Sequence, residues 1–111
     1  MTMNTFPKNF LWGAATSAPQ SEGGQYEDGR SPSTWDVWFE KEPEYFNEGQ
    51  GPKDTTRMYE FYKTDAKLMS EINLNSFRTS ISWNRLLPDG QTINEKAVTF
   101  YRDYFQTLRD E

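Results

Sequence analysis

The chain has 111 residues, a formal net charge of −5, and neither cysteine nor histidine. This length allows one small domain, and the absence of cysteine excludes a disulfide-stapled scaffold and thiolate metal sites. Histidine-based catalysis and the common zinc sites are excluded as well, and the interspersed charges form no basic stripe for a nucleic acid.

The first predicted element is a strand at about 9–16, an apolar run that ends in small residues. Continuous apolar runs are typical of strands that are covered on both faces. A small-residue loop follows the strand and contains Gln20 and Glu22. A carboxamide donates and accepts hydrogen bonds at once, which suits pairs of hydroxyl groups, so Gln20 is a candidate binding residue. The alternative is a loop glutamine that is hydrogen-bonded to the backbone.

Residues 17–53 form a long connection rich in Gly, Pro, Ser and Glu. Connections of this length inside compact proteins are either functional or disordered. Five aromatic anchors favour an ordered loop with a helical turn around Thr34–Glu40. Aromatic residues make up 16% of the whole chain and hydrophobic residues only 34%. The aromatic side chains form either this chain's core or the walls of a cleft that stacks on flat apolar rings.

The clearest helix is predicted over 54–73, where apolar residues recur at three- and four-residue spacing. We expect Asp54 to cap it by accepting hydrogen bonds from amides of the first turn. A second helix is predicted from near Asn94. Its apolar stripe consists of Ala97, Val98, Tyr101, Tyr104, Phe105 and Leu108.

Residues 76–82, between these helices, alternate in the manner of a strand. One face carries Phe77, Thr79, Ile81 and then Trp83, and the other carries Arg78, Ser80 and Ser82. A buried charge at Arg78 is costly unless a carboxylate meets it. Arg78 is therefore either a surface arginine on an exposed strand or an arginine that orients a catalytic carboxylate.

The order strand, long loop, helix, strand, loop, helix implies parallel strands joined by crossover helices. Two parallel strands alone make no stable sheet, because both edges stay open. We therefore expect an α/β architecture in which residues 1–111 are the beginning of a larger fold and not a complete domain. Its exposed strand edge favours self-association.

Three stretches of the sequence carry a family resemblance. They are the run from Phe10 to Gly23, the segment Ser33-Thr34-Trp35-Asp36, and the run Phe77-Arg78-Thr79-Ser80-Ile81-Ser82-Trp83. Together they resemble the amino-terminal part of family 1 glycoside hydrolases, the β-glucosidase and phospho-β-glucosidase family. The segment 38–46 resembles the bacterial phospho-β-glucosidases and phospho-β-galactosidases in particular.

The resemblance implies a role for each signature residue. Gln20 matches the glutamine that binds hydroxyls of the non-reducing sugar, and Arg78 matches the arginine that contacts the nucleophilic glutamate. Glu22 matches a signature glutamate, for which we expect structural pairing and not catalysis. Trp35 and Asp36 are expected to pin the long loop to the barrel mouth rather than to contact substrate. Trp83 completes the strand motif, and Arg85 is expected to pair with an acidic residue of the long loop.

The resemblance also implies a (β/α)8 barrel and retaining hydrolysis of β-glycosides by two glutamates, one as acid and base and one as nucleophile. In the family these glutamates lie in Asn-Glu-Pro and Glu-Asn-Gly motifs, and this chain contains neither motif. No catalytic residue is therefore assigned within the chain, and both glutamates are expected beyond Glu111.

A barrel needs about 250 residues, so the chain supplies its first quarter. We expect the chain alone to be inactive, because it lacks both glutamate motifs. The parent enzyme is expected to hydrolyse β-glucosides, notably 6-phosphorylated disaccharides, and to need no cofactor or metal.

Two expectations concern location and an alternative function. The residues before Phe10 have no signal-peptide core and no segment is long enough to span a membrane, so a cytoplasmic protein is expected. The alternative function is a non-catalytic sugar-binding or interaction fragment that uses the aromatic loop 17–53. A further hypothesis is that the chain is one piece of a split enzyme, whose remaining barrel is a separate chain.

Overall fold

A computed structural model describes residues 3–111 and contains a small parallel sheet. Strand β1 is Gly13–Ala15 and strand β2 is Ser76–Arg78, paired in parallel with Gly13 opposite Ser76. A Cβ atom at Gly13 would lie 2.7 Å from the carbonyl oxygen of Ser76, so only glycine permits this close approach. The first strand is therefore confirmed within the predicted range, although the paired part is shorter than 9–16.

The core lies between helix α3, Met58–Glu71, and helix α5, Glu95–Asp110. Met58 and the aromatic side chains Phe100, Tyr101 and Tyr104 are buried in one cluster. Because the buried positions of α5 recur at helical spacing, they form one stripe against α3 and the strands. The predicted stripe was right in outline but omitted Phe100. The interpretation of the aromatic residues as the core therefore holds for α5.

The connection between the strands is ordered and largely helical. It contains helix α1, Ala18–Ser21, and helix α2, Thr34–Lys41, the latter confirming the predicted helical turn. Short 3₁₀ turns complete it at Glu27–Gly29, Pro43–Tyr45, Asn47–Gly49 and Pro52–Asp54. Helix α4, Trp83–Leu86, follows β2 after a short irregular segment. The order of the main elements is the one that the sequence predicts.

Three local predictions were wrong. Helix α3 begins at Met58 and not at residue 54, and Arg57, with φ of 58°, occupies the position before its first turn. Asp54 is therefore not the cap of this helix, and its side chain lies outside the described part of the structure. The strand predicted over 76–82 ends at Arg78, so Trp83 begins helix α4 and does not continue a strand face. The predicted start of the last helix near Asn94 is confirmed, and the structure shows Asn94 as its N-cap, with a side chain that accepts from the Lys96 amide at 3.2 Å.

The molecule exposes more surface than a compact domain of its size. Its accessible area is 8330 Å², whereas the scaling law for folded monomers of this mass gives about 6,300 Å². Its radius of gyration is 17.0 Å, against about 13 Å for a compact domain of this length. Large apolar side chains around the sheet contribute to the excess, among them Leu11, Trp12, Ile81 and Trp83. Within residues 3–111 no helix has the length and apolarity needed to cross a membrane.

Candidate functional site

The parallel register brings Arg78 and the loop after β1 to the same edge of the sheet. Ala15, the last residue of β1, pairs with Arg78, the last residue of β2. The amide of Thr16 donates to the Arg78 carbonyl at 2.9 Å, and the amide of Ala18 donates to Ser80 Oγ at 2.8 Å. This is the carboxyl edge of the strands, where α/β barrels build their active sites.

Gln20 lies on helix α1 at this edge and its side chain is exposed. Its Oε1 accepts a hydrogen bond from Ser17 Oγ at 2.7 Å, while its amide nitrogen has no hydrogen bond to the described residues. A cavity of about 350 Å³ lies beside it, lined by Ser17, Pro19, Gln20, Trp35 and Pro52. The side chain is therefore free to donate into a cavity with an aromatic wall.

Arg78 is exposed and forms no ion pair with any carboxylate in residues 3–111. Trp83 is also exposed, with 67% of its surface accessible. Both residues flank Ser80 and Ile81 on the segment that leaves β2, beside the apolar surface described above.

Glu111 follows the end of helix α5 and lies away from this carboxyl edge. Its amide donates to the Thr107 carbonyl at 3.2 Å, and its carbonyl accepts from Ser70 Oγ at 3.1 Å. It lines a cavity of about 410 Å³ together with Asn75 and Ser76, at the amino end of β2. Glu111 is thus part of the helix packing and not of the candidate site. The placement of both catalytic glutamates beyond Glu111 stays a prediction.

Glu22, in contrast, is 2% exposed and sits directly after α1. Its Oε1 accepts a hydrogen bond from Arg85 Nε at 2.8 Å, and its Oε2 accepts one from the Tyr101 hydroxyl at 2.7 Å. The Tyr101 hydroxyl in turn accepts from the amide of Ser82 at 2.8 Å. Glu22 is thus tied to the segment after β2 and to helix α5 at once.

Burial raises the pKa of Tyr101 well above its usual range, and the negative charge of Glu22 and the hydrogen bond to it act in the same direction. The hydroxyl therefore keeps its proton at neutral pH and donates it to the carboxylate. Arg85 is fully buried and fixes the loop in further ways. Its Nη2 donates to the carbonyls of Gly23 and Gly24, at 2.9 and 3.2 Å. Its guanidinium carbon lies 4.1 Å from the centre of the Tyr59 ring, within cation–π range.

The two glycines are needed for this arrangement. Gly23 and Gly24 both have positive φ, 64° and 55°, a conformation that other residues rarely adopt. A Cβ at Gly24 would lie 3.0 Å from the Tyr59 ring and 3.4 Å from Arg85 Nη2. The backbone consequently turns both carbonyls towards the buried guanidinium, whose donors would otherwise lack partners.

Asp36 is fully buried and fixes the start of helix α2. Its Oδ2 accepts from the amide and hydroxyl of Ser33, at 2.7 and 2.9 Å, which completes a capping box. The same oxygen pairs with Arg30 Nη1 at 2.8 Å. Trp35, one residue earlier, is 47% exposed and packs against Trp38 with ring centres 5.5 Å apart. The two neighbours therefore behave differently, since Asp36 holds the loop and Trp35 faces the Gln20 cavity.

Sequence reasoning missed two participants, Tyr101 and Arg30. The expected partner of Arg85 in the long loop is Glu22, but nothing in the sequence marked Tyr101 as the third member. Arg30 was also missed, because its six-residue separation from Asp36 follows no pattern. The capping box, however, has a sequence signal, since Ser33 and Asp36 stand three residues apart. No group of three or more acidic side chains that could hold a metal occurs among the described residues.

The two parallel strands and the helix that connects them are those of the beginning of an α/β barrel. The family model of glycosyl hydrolase family 1 matches residues 2–111, and the chain belongs to this family. The fold is that of a partial (β/α)8 barrel, as the resemblance predicted.

Named relatives are close in sequence. The chain is 50% identical over 104 residues to 6-phospho-beta-glucosidase GmuD of Bacillus subtilis (strain 168), covering 93% of this chain and 22% of that protein. It is 51% identical over 110 residues to beta-glucosidase 10 of Arabidopsis thaliana, covering 96% and 21%. The chain therefore spans about a fifth of the length of these curated relatives.

Solved structures of family enzymes contain the same arrangement. Aphid myrosinase superimposes with a TM-score of 0.91 at 31% identity, over 96% of this chain and 24% of that one. The psychrophilic beta-glucosidase BglU from Micrococcus antarcticus gives a TM-score of 0.88 at 37% identity, over 95% and 22%. The arrangement of strands and helices described above therefore corresponds to about a quarter of each of these enzymes.

Proposed function

We propose that this chain forms the amino-terminal quarter of a retaining β-glycosidase that hydrolyses β-glucosides. The observation that carries the proposal is the shared carboxyl edge of the sheet, where β2 ends at Arg78 and the loop after β1 places Gln20 in a cavity with an aromatic wall. Gln20 would hydrogen-bond hydroxyls of the non-reducing sugar, and Arg78 would hold the nucleophilic glutamate in its ionised form. Both roles need partners outside residues 1–111.

The proposal assigns no glycosidase activity to the chain alone. Retaining hydrolysis uses one carboxyl group as acid and base and a second as nucleophile, about 5 Å apart. The motifs that carry them in the family are missing from these 111 residues. Without them the site has no group to protonate the leaving oxygen or to form the covalent intermediate.

The proposed roles are testable in a chimera. It consists of this chain followed by the part of GmuD beyond the 104-residue match, and it is assayed on a chromogenic 6-phospho-β-glucoside. We expect turnover, an increase in KM of about tenfold or more for Gln20→Ala, and a decrease in kcat of about a hundredfold or more for Arg78→Ala. The reason is that a lost ligand hydrogen bond acts on binding, whereas a displaced nucleophile acts on the chemical step.

A matched control for both variants is Arg102→Ala, because Arg102 is exposed on helix α5, far along the chain from the sheet edge. It should leave kcat and KM unchanged. An active chimera in which Gln20→Ala and Arg78→Ala behave like Arg102→Ala would contradict the proposed roles. A chimera that folds and has no turnover would contradict the proposed function itself.

We further propose that the natural substrate is 6-phosphorylated and that the protein works in the cytoplasm. The support is the name of the relative GmuD and the likeness of segment 38–46 to phospho-specific members. A phosphorylated disaccharide is doubly charged and does not cross a bilayer unaided, so its hydrolase meets it inside the cell. The test uses the protein encoded by the whole reading frame that contains this chain. Its kcat/KM should be at least about a hundredfold higher for the 6-phosphorylated glucoside than for the plain one, and equal values would contradict the preference.

A further inference from the structure

The side chain of Tyr101 joins three parts of the molecule that hold the Gln20 loop in place. Its hydroxyl donates to Glu22 Oε2 at 2.7 Å and accepts from the amide of Ser82 at 2.8 Å. Tyr101 is 5% exposed and Glu22 is 2% exposed, so water cannot replace these bonds without a local opening. The hydroxyl thereby fixes the end of α1 relative to the segment after β2.

Glu22 stands two residues after Gln20, on the residue that closes the single turn of α1. The amide of Glu22 donates to the Ala18 carbonyl at 3.0 Å, and the amide of Gln20 donates to the Ser17 carbonyl at 3.1 Å. A single turn of helix is too short to be stable by itself. The direction of the Gln20 side chain consequently depends on the contacts that hold this turn, and the buried carboxylate of Glu22 is one of them, beside the bond from the Ala18 amide to Ser80 Oγ.

Arg85 and Tyr101 both hold the carboxylate of Glu22, but Arg85 makes more contacts with the loop than Tyr101 does. Arg85 also binds the carbonyls of Gly23 and Gly24, so its removal would disturb the whole loop and leave a buried carboxylate without a counter-charge. Tyr101 contributes one hydroxyl, and its ring is held independently by Phe100 and Phe105. Removing only the hydroxyl therefore takes this partner from one oxygen of Glu22 and from the amide of Ser82, while the core stays filled.

We propose that Tyr101 is a positioning residue for sugar binding, acting through Glu22 on Gln20. The inference rests on the proposed function, because it assigns Gln20 the sugar hydroxyls. With the hydroxyl in place, Gln20 is presented to its cavity in one orientation, and the cost of ordering it is met before the sugar arrives. Tyr101 thus affects the binding of the β-glucoside that occupies the Gln20 cavity.

The test compares Tyr101→Phe with Tyr104→Phe in the chimera. Tyr104 lies three residues along the same helix, is fully buried, and its hydroxyl has no hydrogen-bond partner among the described residues. Both substitutions remove one buried hydroxyl from α5, but only one removes a bond to Glu22. We expect KM to rise about three- to tenfold for Tyr101→Phe with kcat changed less than about twofold, and no change for Tyr104→Phe.

A double variant separates positioning from a general loss of stability. If Tyr101 acts through Gln20, adding Tyr101→Phe to Gln20→Ala raises KM no further. An equal rise in both backgrounds, or a Tyr101→Phe enzyme that matches Tyr104→Phe, would overturn the inference.

Hydrogen exchange gives an answer that does not depend on turnover. The amides of residues 20–22 should exchange at least about fivefold faster in Tyr101→Phe than in Tyr104→Phe. A chimera without turnover would count against the proposed function, while equal exchange rates in the two variants would count against the role of Tyr101.

Discussion

At the scale of single residues, the buried ion pairs in the described part of the chain hold its long connection in place. Glu22 pairs with Arg85, and Asp36 pairs with Arg30. Their side chains are almost completely shielded from water, and each carboxylate accepts at least one further hydrogen bond. A buried pair of this kind adds little net stability compared with apolar residues, but the loss of one partner is expensive. These pairs therefore hold an irregular segment in one conformation.

We predict that Asp36→Ala lowers the stability of the chimera by about 3 kcal/mol or more, because it leaves Arg30 buried without a counter-charge and removes the capping box of α2. Asp36→Asn should cost less, since the amide oxygen still accepts from Ser33. The measurement is the urea midpoint of unfolding. The control is Glu40→Gln on the exposed face of the same helix, which should stay within about 0.5 kcal/mol of the parent. Equal midpoints for Asp36→Ala and Glu40→Gln would disprove a structural role for Asp36.

At the scale of elements, the two long helices and both strands were predictable, but the ends of the strands and the start of α3 were not. Asn94 indicates where helix α5 begins, and the helical spacing of its apolar residues indicates its buried face. Both are local properties of the sequence. The end of β2 at Arg78 is not local, because it depends on where β1 offers hydrogen-bond partners. The alternation from residue 76 to residue 82 continues after this pairing has ended, so it overstated the strand.

The start of helix α3 was missed for a related reason. Asp54 is a good capping residue, but Pro52–Asp54 forms its own 3₁₀ turn and the chain bends again at Arg57. The amide of Tyr59 then donates to the Glu22 carbonyl at 2.8 Å, a long-range bond that satisfies a first-turn amide. Such a cap from a distant backbone cannot be recognised in the sequence. The candidate site shows the same difference between local and long-range signals. Gln20 and Arg78 could be predicted from sequence motifs, whereas the role of Tyr101 is visible only in the packing of the folded chain.

At the scale of the whole molecule, the chain has the fold of one part of a barrel and exposes more surface than a compact domain of its size. Its accessible surface of 8330 Å² exceeds that of a compact monomer of equal mass by about 2,000 Å². In the described residues β1 and β2 pair only with each other, so each strand leaves one edge without partners. Exposed edges and apolar side chains are the features through which chains associate.

We predict that the isolated chain is inactive and associates with itself as its concentration rises from about 1 to 100 μM. Sedimentation velocity measures this association, and Ile81→Lys, which places a charge on the exposed apolar surface, should weaken it. A matched control is Ile93→Lys, because Ile93 is similarly exposed but lies in the loop before α5. A chain that stays monomeric throughout, and whose tryptophan fluorescence responds saturably to glucose 6-phosphate without turnover, would instead support the sugar-binding alternative.

The measurement that tests the central claim most directly is the kcat/KM of the chimera on a 6-phospho-β-glucoside, beside that of GmuD. If this chain is a working quarter of a family 1 barrel, the chimera should reach at least about a tenth of the GmuD value, and Arg78→Ala should abolish most of it. A chimera that folds to a monomer with native-like circular dichroism but hydrolyses the substrate no faster than buffer would contradict the account.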